Sequence, residues 1–121
     1  MTWARARTHK YNARRVVVDG HRFDSAAEAR RYGELRLLER AGKISGLRLQ
    51  PRFELQPSFV AFQDGKRRRA IVYVGDFAYE ENNTPVVEDV KGVVTPEFRL
   101  KQKMFLYRFP GIKLRVIGGA E

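Results

Sequence analysis

The sequence predicts an α/β fold in which a mixed β-sheet is flanked by two helices. Helix-capping signals at Ser25 and Thr95 each precede a segment with apolar residues at helical spacing. Between these segments, turn dipeptides separate runs of β-branched and aromatic residues, which is typical of antiparallel strands. A last apolar run, residues 112–117, follows the second helix and is expected to return parallel to the preceding strand. The predicted order is therefore helix, three-strand meander, helix, strand.

Length and composition favour one folded domain with a polyanionic partner. The chain has 121 residues, 43% of them hydrophobic, and this is enough to build a core. Its formal charge of +10 indicates nucleic acid as the commonest partner, although ribosomal or membrane-surface binding would give the same charge. The absence of cysteine excludes disulfides and thiolate metal sites, and no transmembrane or signal-peptide pattern is present. We expect a basic arm and small hairpin over residues 1–22 and a single domain over residues 23–121.

Residues 1–15 form a basic segment with interspersed aromatic side chains. Its cations include Lys10, Arg14 and Arg15, which are placed to contact phosphates if the segment lies along nucleic acid. A solvated terminus is an equally good interpretation. An Asp-Gly dipeptide after this arm predicts a tight hairpin over residues 16–23.

The first helix is predicted to begin after Ser25 and to end near Ala41, where Gly42 is a good terminator. Ser25 and Glu28 have the spacing of a capping box. Glu28 has two interpretations. It either only caps the helix or points toward the acidic strands described below and adds a carboxylate there.

The second helix is predicted to begin with Thr95 as its N-cap and Pro96 at its first position, and to run to about residue 109. Several large apolar residues follow at helical spacing. We expect them to form its buried stripe: Phe98, Leu100, Met104, Phe105 and Tyr107.

The three middle strands are predicted to form an antiparallel meander after a connector over residues 43–51. They are expected over residues 52–63, 66–79 and 85–91. An Asp-Gly and an Asn-Asn dipeptide supply the two turns between them.

Two further groups of cations are candidates for nucleic-acid binding. Arg67, Arg68 and Arg69 form either a phosphate-facing ridge or a solvated strand end, and the net charge favours the ridge. Lys101 and Lys103 lie near the start of the second helix, on its predicted solvent-exposed side, and could reach a DNA backbone from there.

The strand around residues 86–92 carries two acids and a lysine among β-branched residues. Because successive side chains of a strand alternate between its faces, Asp89 and Lys91 share one face and Glu88 lies on the other. Burying an acid and a lysine without partners is costly. A plain interpretation is that these charges belong to an edge strand and protect the sheet from aggregation.

The turn at Asn82-Asn83 gives these acids a second interpretation. When pairs are counted outward from a two-residue turn, Asp76 lies directly opposite Asp89. Like charges at facing positions destabilise a sheet, and a divalent cation between them removes that penalty. Hard carboxylate oxygens suit Mg²⁺ or Mn²⁺.

These residues resemble the motif of the PD-(D/E)xK nuclease superfamily. Asp76 matches its first acid, Asp89-Val90-Lys91 matches its (D/E)xK element, and Glu28 matches the extra helical acid of its resolvase-like members. The segments Lys10-Tyr11-Asn12 and Phe23-Asp24-Ser25 look like those of a small phage- and prophage-encoded branch.

Two departures from that pattern bear on the site. Gly75 stands before the first acid in place of the proline that is common there. Asp89 replaces the more usual glutamate, and Glu88 lies just before it, so either acid is a candidate ligand.

The resemblance implies a restriction-endonuclease-like αβββαβ core and a metal-dependent DNA endonuclease. Asp76, Asp89 and Glu28 would hold Mg²⁺, with Mn²⁺ as a substitute, and Lys91 would orient or deprotonate the attacking water. It also implies a branched-DNA substrate, a homodimer that cuts two strands, no membrane partner, and action in the cytoplasm of a bacterial host. The alternative is a non-catalytic, basic nucleic-acid-binding protein whose acids are structural.

Overall fold

The computed structural model describes residues 15–120, which form two helices and ten strands. The elements in chain order are β1 (Val16–Val18), β2 (His21–Phe23), α1 (Ala26–Arg40), β3 (Ser45–Leu49), β4 (Arg52–Gln56), β5 (Phe59–Val60), β6 (Arg67–Arg68), β7 (Ile71–Val74), β8 (Phe77–Glu81), β9 (Thr84–Val93), α2 (Pro96–Arg108) and β10 (Lys113–Ala120). No helix of the described chain is long and apolar enough to cross a membrane.

The N-terminal hairpin predicted over residues 16–23 is confirmed. β1 and β2 pair antiparallel around Asp19 and Gly20, whose φ angles are 52° and 78°. Asp and Gly tolerate this left-handed region, and the turn chemistry therefore matches the turn type. Residues 1–14 of the predicted basic arm lie outside the described part of the chain.

Both helices begin where the capping signals place them. The Ser25 hydroxyl accepts a hydrogen bond of 3.1 Å from the N–H of Glu28, and Gly42 takes a φ of 76° after the end of α1. At the start of α2, the Thr95 hydroxyl accepts a bond of 3.1 Å from the N–H of Phe98.

The predicted buried stripe of α2 is only partly correct. Phe98 and Phe105 are buried, and Met104 packs against them. Leu100 and Tyr107 were expected in the core, but they are 59% and 90% exposed. The helix carries apolar residues around most of its circumference, so the face that is buried depends on how the helix docks on the sheet.

The main sheet has four strands in the order β10-β9-β8-β3. β8 is antiparallel to β9 and to β3, whereas β10 is parallel to β9, as expected for the strand after α2. The predicted α/β class, with a mixed sheet that contains antiparallel strands and a parallel last strand, is therefore confirmed, but residues 52–63 do not belong to this sheet. β10 is longer than predicted, since Gly118 still pairs with Lys91.

The prediction that residues 43–51 form a connector is wrong. They contain β3, one of the two edge strands of the main sheet, with Ser45 opposite Glu80 and Leu49 opposite Phe77. The ladder is irregular between Ser45 and Arg48, and Gly46 there takes a φ of 67°. Such a bulge interrupts the alternation of apolar and polar residues by which a strand is recognised in a sequence.

The two long strands predicted over residues 52–63 and 66–79 are each broken. Pro57, which has no backbone N–H, separates β4 from β5, and Gly75 lies between β7 and β8. A Cβ at Gly75 would lie 2.7 Å from Cγ1 of Val87, so the close packing of the Val87 side chain on this backbone requires glycine.

A β-arm, defined here as strands β4, β5, β6 and β7, continues from the main sheet. β4 pairs with β7 and β5 pairs with β6. At the junction, the N–H of Gln50 donates to the Asp76 carbonyl at 2.9 Å and the N–H of Gly75 donates to the Pro51 carbonyl at 3.0 Å. The bend at Asp76 is therefore bridged on both sides by backbone hydrogen bonds.

Apolar side chains pack on both faces of β9. Val86 belongs to a core cluster with Tyr32 and Leu35 of α1, whereas Val87 belongs to a second cluster with Phe98 and Phe105 of α2. The sheet thus lies between the two helices. Residues of odd number in this part of β9 face α2, and those of even number face α1.

Candidate functional site

The register of the β8–β9 hairpin agrees with the one predicted from its turn. Asn82 and Asn83 have φ angles of 53° and 63°, as a two-residue hairpin turn requires. Glu81 lies opposite Thr84, and the ladder runs without a slip to Phe77 opposite Glu88. Asp76 and Asp89 are the next positions on the two strands.

Asp76 is held at the bend of the sheet by both its backbone and its side chain. Its N–H donates to the carbonyl of Glu88 at 2.9 Å, and its Oδ2 accepts a bond of 2.6 Å from the N–H of Val90. These two contacts bracket Asp89. The side chain of Asp76 therefore takes the place of a ladder carbonyl at the point where β7 turns away from β9.

The carboxylate of Asp89 is buried and oriented by two side chains. Its Oδ2 accepts a bond of 2.6 Å from the hydroxyl of Tyr73, and its Oδ1 lies 3.3 Å from Nζ of Lys91. Nζ of Lys91 also lies 4.4 Å from the centre of the Phe98 ring, a cation–π contact. Burial, and then the bond to Asp89, raises the pKa of Tyr73, which therefore stays a proton donor.

Glu28 of α1 lies in the same cleft as Asp76. This cleft has a volume of about 650 Å³, and its wall includes His21, Arg22 and Gln50. Burial, and then the charge of the neighbouring Asp76, raises the pKa of Glu28 from 4.5 to about 7. The interpretation in which Glu28 only caps the helix is therefore incomplete, because its carboxylate interacts with the acids of the strands.

The pKa of Asp76 responds to the same neighbourhood. Burial is the largest cause of its rise from 3.8 to about 6; the hydrogen bond from Val90 partly offsets this rise, and the charge of Asp89 contributes to it. Lys91 lowers the pKa of both Asp76 and Glu28. Asp24 also raises the pKa of both groups, so four carboxylates and one lysine share an electrostatic environment at the bend of the sheet.

Glu88 lies on the opposite face of β9 and is completely buried there. Arg31 donates to its two oxygens at 2.8 and 2.7 Å, the hydroxyl of Tyr79 donates to Oε2, and Arg115 lies 3.7 Å from the same oxygen. These partners join α1, β8 and β10 to one carboxylate. Of the two neighbouring acids, Asp89 is therefore the one beside Asp76 and Lys91.

The cations proposed for nucleic-acid binding lie on separate elements. Lys10 and Arg14 are outside the described residues, and Arg15 is exposed before β1. Lys101 pairs with Glu97 at 3.3 Å on α2, and Lys103 is exposed on the same helix.

The three arginines of the β-arm differ in their surroundings. Arg67 is exposed and its guanidinium donates to the hydroxyl of Ser58 at 3.1 Å. Arg68 is half-buried and forms an ion pair of 2.7 Å with Asp64. Arg69, just after β6, is exposed. Arg67 and Arg69 are therefore the better placed of the three to meet a phosphate.

Sequence reasoning missed the residues that orient the acids. The contact of Tyr79 with Glu88 could have been predicted from the register of the hairpin. Tyr79 pairs with Val86 and therefore lies diagonal to Glu88 on the same face of the sheet. No comparable signal exists for Tyr73, which reaches Asp89 only because the chain bends at Gly75.

Among residues 15–120, no three histidine or acidic side chains are gathered closely enough to enclose a metal ion by themselves. A comparison with curated proteins finds no significant match. The family described as protein of unknown function DUF1064 matches residues 8–120, nearly the whole length of the sequence. The chain therefore belongs to the DUF1064 family.

Proposed function

We propose that this protein is a divalent-metal-dependent DNA endonuclease of the PD-(D/E)xK type. One observation carries the proposal: Asp76, at the bend between β7 and β8, lies next to Asp89 of β9, with Lys91 in contact with Asp89 and Glu28 lining the cleft of Asp76. A protein of formal charge +10 that only bound phosphates would gain nothing from acids gathered at such a point.

The donor set fits a hard divalent cation. Mg²⁺ is usually bound through one or two carboxylates, with water and substrate phosphate oxygens completing its coordination. Two aspartates at the bend are therefore sufficient, and a closed cage of three side chains is not required. The raised pKa values of Asp76 and Glu28 also favour a cation, because its charge would stabilise their ionised forms. When bound, such an ion polarises a phosphate and lowers the pKa of water.

The residues of the site would then have different roles in catalysis. Asp76 and Asp89 hold the ion, with Glu28 adding a direct or water-bridged contact. The N–H of Val90 fixes Asp76 and the hydroxyl of Tyr73 fixes Asp89, so neither carboxylate has to reorganise when substrate arrives.

Lys91 would act on the attacking water and the phosphate rather than on the metal ion. Nζ of Lys91 lies between Asp89 and the Phe98 ring, and from there it would orient the attacking water and offset the charge that develops on the phosphate. Phosphodiester hydrolysis needs both functions in addition to the ion.

The proposal extends to the substrate and the assembly. The resemblance to resolvase-like nucleases favours branched DNA, and cutting two strands favours a homodimer with one site for each strand. Arg15, Arg67, Arg69 and Lys103 are exposed and carry the charge needed to hold a DNA backbone.

A second candidate, a non-catalytic nucleic-acid-binding protein, is favoured by two observations. Asp89 is already occupied by Tyr73 and Lys91, and no described group of three acidic or histidine side chains encloses a metal position. In such a protein Asp89 would serve to hold the β-arm against β9.

Cleavage of a synthetic four-way DNA junction in Mg²⁺, Mn²⁺ or EDTA distinguishes the two. We expect metal-dependent cutting that Asp89→Ala and Lys91→Ala abolish, while Glu80→Ala, an exposed acid on β8, leaves it unchanged. Tight binding of the junction by the parent protein without cutting in either metal would favour the binding protein.

A further inference from the structure

We infer that the tip of the β5–β6 hairpin places the ring of Phe62 beside an unstacked base of bound DNA. The inference takes its partner from the proposed function and adds a substrate class, namely duplex DNA with a bulge, mismatch or branch. It concerns a surface on the β-arm that is separate from the acids at the bend.

The described part of the chain offers the Phe62 ring no surface to pack on. Its relative exposed area is 105%, so the whole ring lies in solvent, and the adjacent Phe59 and Val60 are 44% and 53% exposed. Exposed apolar residues scattered singly are common, but these three lie together at one end of a β-hairpin. Contact with a partner is the way in which such a ring would be removed from water.

The turn that carries Phe62 is ordered by hydrogen bonds on both sides of it. The N–H of Ala61 donates to the Lys66 carbonyl at 2.9 Å, and the N–H of Gly65 donates to the Ala61 carbonyl at 2.8 Å. Asp64 accepts from the N–H of Lys66 at 3.0 Å and from Arg68 at 2.7 Å. The ring is therefore presented by a preorganised turn, which lowers the entropy cost of inserting it.

The charges around the ring match nucleic acid. Lys66, Arg67 and Arg69 are exposed on the same hairpin and the strand end after it, and the one acid of the tip, Asp64, is paired with Arg68. Basic side chains that hold phosphates beside an aromatic ring that stacks on a base are the two parts of a nucleic-acid platform. Apolar side chains placed between base steps act in the same way as wedges.

The shape of the hairpin favours B-form DNA over the other polyanions. The major groove of B-DNA admits a two-stranded β-ribbon, whereas the major groove of an RNA duplex is too narrow for side chains to read. An anionic membrane surface is less suitable, because stable attachment there requires more buried apolar surface than a single ring and its two neighbours supply.

The length of the β-arm limits where the ring acts. Lys66, at the base of the turn that carries Phe62, precedes Asp76 by ten residues, so at about 3.3 Å per residue this turn begins at most about 33 Å from Asp76. This corresponds to about ten base pairs of 3.4 Å each. The unstacked site would therefore lie within about one helical turn of the phosphate that Asp76 and Asp89 approach.

The test uses a DNA duplex with one bulged 2-aminopurine, a base whose fluorescence rises when it is unstacked. Binding is measured in EDTA, so that the result does not depend on cleavage. We expect the parent protein to raise the fluorescence and to prefer the bulged duplex over the perfect one. Phe62→Ala should weaken binding to the bulged duplex about 5- to 100-fold and abolish the rise, whereas Phe62→Trp should retain both.

Tyr107→Ala is the matched control, because Tyr107 is a 90% exposed aromatic residue on α2. It should bind as the parent does. Equal affinity and equal fluorescence for the parent protein and Phe62→Ala would overturn the inference, even if the protein cuts DNA. Binding of the parent to phosphatidylglycerol vesicles that is lost in Phe62→Ala, with no effect on DNA, would overturn it in favour of a membrane contact. If the parent protein raises the fluorescence but cuts no DNA when Mg²⁺ is supplied, only the proposed nuclease activity is refuted.

Discussion

Arg31 of α1 holds the completely buried carboxylate of Glu88 with two hydrogen bonds, 2.8 and 2.7 Å long. This pair ties the helix that carries Glu28 to the strand that carries Asp89. Arg31 lies one turn after Glu28 on the same helix, so the ion pair fixes how Glu28 approaches the bend of the sheet. The two neighbouring acids of β9 thus have different roles, since one anchors a helix and the other faces the candidate site.

Removing Arg31 should destabilise the fold strongly. Among the described residues, Arg31→Ala leaves the buried Glu88 with Tyr79 and the more distant Arg115, and breaking a buried ion pair on one side costs about 3 kcal/mol or more. Urea unfolding measures this free energy. Arg30→Ala, at the exposed neighbouring position, should change it by less than about 0.5 kcal/mol. Equal unfolding curves for the two variants would show that the pair contributes nothing to stability.

The stability of the metal-free protein should fall as pH rises through the weakly acidic range. The folded pKa values of Glu28 and Asp76, about 7 and about 6, lie above their ordinary values of 4.5 and 3.8. In that interval the folded state binds more protons than the unfolded state, so the free energy of unfolding decreases with pH. For these two groups the loss begins near pH 4 and is complete above about pH 7.

Urea unfolding in EDTA at several pH values checks this dependence, and Glu28→Gln supplies the comparison. The variant lacks one of the two groups with a raised pKa and should show a shallower decrease between pH 4.5 and pH 7. If the free energy of unfolding changes with pH equally in the parent and in Glu28→Gln, then the pKa of Glu28 is not raised by folding.

A divalent cation should reverse that loss. If Mn²⁺ binds between Asp76 and Asp89, a Mn²⁺ concentration of ten times the dissociation constant adds about 1.4 kcal/mol to the unfolding free energy by mass action. The thermal midpoint of the parent should therefore rise with Mn²⁺ at pH 7.5. The midpoint of Asp89→Asn should stay constant, and Glu80→Gln should behave as the parent does. A rise of the same size in Asp89→Asn would place the ion elsewhere.

The arginines of the β-arm should contribute unequally to the salt dependence of DNA binding. Each phosphate contact contributes about one unit to the slope of log affinity against log salt concentration. Arg67→Ala and Arg69→Ala should each lower that slope by about one unit, because both side chains are exposed. Arg68→Ala should lower it less, because Arg68 is paired with Asp64 at 2.7 Å. Fluorescence anisotropy with a labelled duplex between 50 and 200 mM salt measures all three, and an unchanged slope would show that the arm faces away from DNA.

Local chemistry made part of this structure predictable. A turn of two asparagines admits one register, and that register placed Asp76 next to Asp89 before any tertiary contact was known. The capping residues Ser25 and Thr95 defined the starts of the helices for the same reason, because each satisfies backbone N–H groups within four residues.

Features that depend on long-range packing were not predictable. Whether Leu100 or Phe105 of α2 is buried is decided by the docking of the helix on β9, and periodicity alone does not select between them. β3 was missed because a bulge near Gly46 disrupts its alternation. The bond between Tyr73 and Asp89 depends on the bend at Gly75, which places residues from β7 and β9 together outside any ladder.

The most direct test of the proposed metal centre is the rate at which supercoiled plasmid DNA is nicked in Mg²⁺ by the parent protein and by Asp89→Asn. This substitution keeps the size of the side chain and an oxygen that can accept the bond from Tyr73, but it removes the charge. We predict nicking by the parent that EDTA stops and that the variant lacks, while both proteins bind the plasmid. Nicking by Asp89→Asn at the parent rate, or by neither protein despite tight binding, would contradict the assignment of Asp76 and Asp89 as a catalytic metal site.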